Sequence, residues 1–146
     1  LVHPGVNHSD DATVMLFPGE RAAFATEFIA DALVSGNARS LPSACGPFDG
    51  SPLDEWIKSY RAVETLEFDI LVPGHGSQLG DKTLVRETRE FFEDLRREVA
   101  AGMAAGQSLE QLKGSVRLER YKDWANYERL RADNVEAAYR NLLTYR

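Results

Sequence analysis

His75 sits between Gly74 and Gly76, directly after the apolar run Phe68–Val72 and Pro73. Two glycines free the backbone around the imidazole and leave room for a ligand beside it. An imidazole held out at the end of a buried strand suits a metal ligand or a general base. Such a residue needs company, because zinc chemistry takes about three protein ligands and one open position. The chain has only three histidines. His8 lies in "GVNHSDD", among the turn formers Asn7, Ser9, Asp10 and Asp11. Taken alone it reads as an exposed loop histidine. Glu27 lies in "FATEFI", where a carboxylate among Phe24, Phe28 and Ile29 is costly unless paired or coordinated. His3, ahead of Pro4, reads as a turn residue. Tyr121, Trp124, Tyr127 and Tyr139 read as helix-packing aromatics rather than a stacking platform.

The elements that must position these residues divide the chain unevenly. Thr13–Phe17 and Arg21–Ile29 flank "PGE" and predict a hairpin. Asp31–Gly50 reads as a long loop. Ser51 is expected to cap a helix by accepting from the Asp54 amide, with Pro52 at its first position. Trp56, Ile57, Tyr60, Val63 and Leu66 carry that helix's apolar stripe. Phe68–Val72 reads as a buried strand and "SQLGD" as a loop. Asp81 caps a long helix through Ala105, with Leu84, Thr88, Phe91, Phe92, Leu95 and Val99 on one face and Gly106 at its end. Ser108–Gly114 and Tyr121–Tyr127 predict short helices, and Leu130–Tyr145 a final one with Val135, Ala138 and Leu142 inward. Strands first and helices after make an α+β chain with a sheet of about three or four strands.

With 146 residues the chain fits one domain, 1–146, whose helical tail begins near position 81. A net charge of −6 and a pI near 5.1 argue against a nucleic-acid partner. No apolar run is long enough for a membrane-spanning helix. The single cysteine, Cys45, permits neither an internal disulfide nor a cysteine-rich zinc site. No signal peptide is legible, which favours a soluble cytoplasmic chain over a periplasmic one. The chain opens on Leu1, so its natural beginning need not be present.

In this order the segments resemble the C-terminal half of the metallo-β-lactamase fold of zinc-dependent hydrolases. "NHSDDATVMLFPGERAAFATEFI" is similar to that family's third-histidine loop and the strands after it. "FDILVPGHG" resembles its later strand and final histidine. "PLDEWIKSYRAVETL" stands where the family has a helix, and "DNVEAAYRNLL" resembles the tail of some of its members. The resemblance implies a metal set of His8 completing the first zinc site, Glu27 at the bridging position usually held by aspartate, and His75 ending the second site. The family's His-x-His-x-Asp-His signature has no counterpart here. The resemblance therefore implies a truncated hydrolase with little activity of its own and weak zinc binding, or, in a different class, a non-catalytic half-domain that self-associates.

An αββα sandwich has two similar halves, and this chain would supply one small mixed sheet with its helices and C-terminal tail. The expected partner is the missing N-terminal half or a second copy in an isologous homodimer. Val14, Leu16, Ile70 and Val72 are expected to face one side of the sheet, and Met15, Phe17 and Leu71 the other. An open face of ~600–800 Å² would forgo about 15–20 kcal/mol gross.

Overall fold

The computed structural model describes residues 1–25, 29, 33–34, 38–43, 50–74 and 79–145. β1 (Val14–Phe17) and β2 (Ala22–Ala25) form the expected antiparallel hairpin, paired Val14 to Ala25 and Phe17 to Ala22. Arg21 closes its turn at φ 48°, and the Arg21 amide donates to the Pro18 carbonyl at 3.3 Å. β5 (Ile70–Pro73) runs parallel to β2, giving a mixed three-stranded sheet in the order β1-β2-β5. A parallel neighbour needs a crossover connection, and helix α1 (Leu53–Glu64) lies within that connection. The strand begins two residues later than the sequence predicts. Phe68 instead packs in the core, while the Arg21 guanidinium grips both oxygens of Asp69 at 2.6 and 2.8 Å.

Facing sides of this sheet differ from the expected alternation. Register places Leu71 beside Ala23 and Leu16, so Leu71 joins Val14, Ala23 and Ala25 on the buried side. Ile70 and Val72 share the opposite side with Met15, Phe17, Ala22 and Phe24. Side chains on a strand alternate, but how one strand aligns with the next is a long-range property, and a one-residue slip exchanges the faces.

Asp31–Gly50 is not simply a loop. It holds β3 (Leu33–Val34) and β4 (Ala38–Arg39), a short antiparallel pair. After β4, Ser40 bridges to Ala125 in parallel, and the Leu41 amide donates to the Ala125 carbonyl at 3.0 Å. The Asn134 side chain also donates to the Pro42 carbonyl at 2.9 Å. Residues 38–42 are therefore pinned to the helical tail by groups more than 80 positions away.

The helices follow their apolar periods. α1 buries Trp56, Ile57, Tyr60 and Val63. α2 (Lys82–Ala104) buries the whole expected stripe from Leu84 to Val99, and its Asp81 cap accepts from the Thr83 and Leu84 amides. Gly106 takes φ +76° just past its end, the left-handed geometry that glycine adopts without penalty. α3 (Leu109–Ser115) opens with a capping box between Ser108 and Gln111. Tyr121–Tyr127 does not form the expected helix. A 3-10 turn spans Glu119–Tyr121, and α4 (Tyr127–Thr144) starts three residues earlier than predicted. Tyr121 and Trp124 are instead packing residues, edge-on to one another at 4.9 Å and both against Phe91. One buried cluster joins the inner sheet face to α1, α2 and α4.

Candidate functional site

His8 projects from the loop that precedes β1, and its surroundings show how the chain holds it. Asn7 is buried and folds its side chain back on the backbone: Oδ1 accepts from the His8 amide at 2.7 Å, and Nδ2 donates to the Gly5 carbonyl at 3.1 Å. Gly5 has φ +126°, and a Cβ there would stand 3.0 Å from the Ser59 hydroxyl oxygen, so the loop needs glycine at this point. Two hydroxyls fasten the loop to the region of α1. Ser51 donates to the Asn7 carbonyl at 2.9 Å and Ser59 to the Val6 carbonyl at 3.2 Å. Trp56 of α1 meets the His8 ring edge-on with centroids 6.4 Å apart. The Trp56 indole nitrogen is buried and has no acceptor among the described residues.

Ser51 does not cap α1 as its position predicts: the helix begins at Leu53 with Pro52 at the cap position, and the Ser51 hydroxyl donates to the Asn7 carbonyl. Asn141 of α4 takes over the task. Its Oδ1 accepts from the Leu53 amide at 2.9 Å, satisfying one of the helix's free N-terminal donors, and its Nδ2 donates to the Ser51 carbonyl at 2.9 Å. Asn141 is therefore a site-supporting residue that the sequence did not reveal. Its local signal was a polar residue one turn beyond Ala138 on the inner face, which also buries Asn134.

His3 stays a loop residue, its Nε2–H donating to the Asp10 carbonyl at 2.9 Å across the same loop. Glu27 and His75 lie outside the described residues, as does Cys45. What is described of the His75 region is its support. β5 ends at Pro73, and Leu71 and Gly80 exchange both backbone hydrogen bonds at 2.8 Å, so the segment returns to the strand it leaves. Val14 and Val2 likewise exchange two bonds at 2.8 Å, anchoring the start of the His8 loop to β1. Among the described residues no three of His, Cys, Asp and Glu are placed to hold a metal ion. They do not constitute a zinc site by themselves, and no reaction step is routed through one.

A second feature is the outer face of the three-stranded sheet. Register aligns Met15, Phe24 and Val72 in one row and Phe17, Ala22 and Ile70 in the next. All six are apolar, and Met15, Phe17 and Ile70 are 37%, 47% and 41% exposed. No helix of the described residues is long and apolar enough to cross a membrane.

Between α1 and α2 the surface is ionic. Arg89 bonds both Glu64 and Glu93 at 2.7 Å, while Arg61 bonds Glu93 at 2.6 Å. Burial pushes the Glu93 carboxyl up, but the hydrogen bonds and charges of Arg61 and Arg89 outweigh it and hold the group below the ordinary carboxylate range. These ion pairs join the two helices and have a structural rather than a chemical reading.

No family model matches the sequence, and neither does any curated protein. Solved structures do match. A double mutant of the sec-alkyl sulfatase PisA1 aligns with the whole of this chain, at 16% identity and a TM-score of 0.64, and the chain covers 26% of it. The metallo-β-lactamases TMB-1 and DIM-1 (the latter exposed to ceftazidime) each align over 62% of this chain at 28% identity, with TM-scores of 0.46 and 0.43. The chain spans 38% of the length of each of those two. The protein is an α+β chain with part of the metallo-β-lactamase fold.

Proposed function

We propose that this chain is the C-terminal half of a metal-dependent hydrolase of the metallo-β-lactamase fold, and that by itself it hydrolyses little or nothing. His8, Glu27 and His75 are its remaining zinc ligands in this reading, and the bond cleaved by the complete protein is an ester, thioester or lactam-like bond. The observation that carries the reading is the whole-length fold match to a sulfatase of which this chain covers 26%. Supporting it is a His8 loop held by one buried and one part-buried hydrogen bond, as a positioned ligand requires. Two histidines and a carboxylate suit several divalent ions, so binding is weak and not selective for zinc. The test is an assay of the purified chain with zinc against nitrocefin, thioesters and phosphodiesters. Turnover that persists through purification and disappears in His75→Ala would overturn the claim of inactivity.

The exposed apolar sheet face favours a second reading, a non-catalytic half-domain that associates with another copy of itself. Rows of apolar side chains on an uncovered sheet mark an interaction surface. Association through that face is a two-fold contact, measurable by sedimentation, and a strictly monomeric chain would remove this reading.

A further inference from the structure

We infer that Asn141, in the C-terminal helix, is a positioning residue for His8; the inference rests on the reading of His8 as a metal ligand and extends that site into the helical tail. The connection is a short relay of hydrogen bonds. Asn141 Nδ2 donates to the Ser51 carbonyl at 2.9 Å. The Ser51 hydroxyl donates to the Asn7 carbonyl at 2.9 Å. Asn7 Oδ1 accepts from the His8 amide at 2.7 Å. Asn141, Ser51 and Asn7 are 5%, 1% and 1% exposed, so water competes little for the first two links, and the last, to the exposed His8, is part-buried.

The same asparagine also holds the helix that bears on the His8 ring. Through Leu53 it caps the first turn of α1, and Trp56, three residues on, stands against the imidazole. One side chain therefore fixes both sides of the histidine: its backbone through Ser51 and Asn7, its ring through the α1 turn. A hydrophobic residue at position 141 would continue the inner stripe of Val135 and Ala138, but it would leave the Leu53 amide and the Ser51 carbonyl buried without partners.

The two functions of Asn141 can be separated. Asn141→Asp keeps an acceptor for the Leu53 amide, and its charge suits a helix N-terminus. It loses the donor to Ser51 and sets a carboxylate oxygen against a carbonyl oxygen. Amide hydrogen exchange by NMR and the ring proton–carbon peak of His8 read the result. In Asn141→Asp, His8 amide exchange accelerates about tenfold while that of Leu53 holds, as expected for the loss of one buried hydrogen bond upstream. The His8 ring peak moves as well. Val99→Ala, a cavity in α2, is the control: it lowers thermal stability and leaves the His8 ring peak in place. Asn141→Leu removes both bonds and perturbs Leu53 and His8 together. His8 amide and ring signals that do not change in folded Asn141→Asp would overturn the proposal, as would a shift of equal size in Val99→Ala. Titrating zinc into the wild-type chain while following the same ring peak tests the ligand reading separately. A ring peak insensitive to zinc beside an intact relay would count against the metal, not against the positioning.

Discussion

On the self-association reading, the wild-type chain should be a dimer and Phe17→Ser a monomer of undiminished stability. Phe17 is 47% exposed on the outer sheet face, and taking ~200 Å² for a whole phenylalanine side chain leaves about 100 Å² in water. With the exposed parts of Met15 and Ile70 and the partly buried Ala22, Phe24 and Val72, the face presents on the order of 400 Å² of apolar surface. A two-fold contact would then remove roughly 800 Å² in all, below the ~1,200–2,000 Å² of a stable interface. This is smaller than the sequence led one to expect, because the sheet has three short strands. At ~25 cal/mol per Å² the gross gain is about 20 kcal/mol. After association entropy and side-chain ordering, a net near 8 kcal/mol corresponds to a micromolar dissociation constant.

Serine at position 17 forfeits ~2.5 kcal/mol in each copy, ~5 kcal/mol per dimer, which weakens association more than a thousandfold. Folding is a separate matter. The buried cluster draws on the other face of the sheet and on α1, α2 and α4, and it does not include Phe17. A surface substitution of this kind usually changes stability by about 0.5 kcal/mol or less. Sedimentation equilibrium at tens of micromolar is the assay. The wild-type chain should approach twice its mass of 16.3 kDa, and Phe17→Ser should sediment at 16.3 kDa with an unchanged melting temperature. A wild-type chain that stays at 16.3 kDa, or a variant that dimerises as tightly as wild type, would refute the reasoning.

Other perturbations probe different links. Asp81→Ala removes the acceptor for the Thr83 and Leu84 amides at the start of α2 and should cost about 1 kcal/mol in urea denaturation. Phe91→Ala empties a fully buried position packed against Phe92, Tyr121 and Trp124 and should cost about 3–5 kcal/mol, enough to unfold a marginal domain. Glu93 is held below its ordinary value of 4.5, so its contribution is complete above that pH and is lost as pH falls through the depressed value. Glu93→Gln should flatten the acid limb of the stability profile below about pH 4.5 and leave the neutral-to-alkaline limb parallel to wild type. Zinc calorimetry should give smaller heats for His75→Ala than for wild type, and identical heats would exclude His75 as a ligand.

Elements whose signals are local were legible in the sequence. The Leu84–Val99 stripe, the Asp81 cap and the Ser108 capping box each depend on residues within a turn or two of one another. The hairpin around Pro18–Glu20 was legible for the same reason. What failed depends on distant partners. β3 and β4 are two residues each, and the β4 end is held partly by Ala125 and Asn134, so no period in Asp31–Gly50 could announce them. The sheet faces failed because both alternations of β5 are apolar. Only pairing with β2 decides whether Leu71 or Ile70 turns inward.

The candidate site was legible to a lesser degree, and Ser51 shows why. By local rules a serine three residues ahead of an acidic residue, with proline between, is a helix cap. Its hydroxyl instead serves the Asn7 carbonyl, a partner 44 positions upstream, and the capping task falls to Asn141, which bonds the Leu53 amide from 88 positions downstream. A hydroxyl can donate and accept at once, so the bond to Asn7 does not by itself displace the cap; the helix starts at Leu53, which leaves Pro52 rather than Ser51 at the cap position. The partner of the Ser51 hydroxyl is set by which groups the tertiary fold leaves buried without water. Serines that look like caps, and asparagines that interrupt an apolar helix face, are therefore where polar links to a distant site are to be sought. In this chain the two meet at one carbonyl, that of Ser51, and lead to His8.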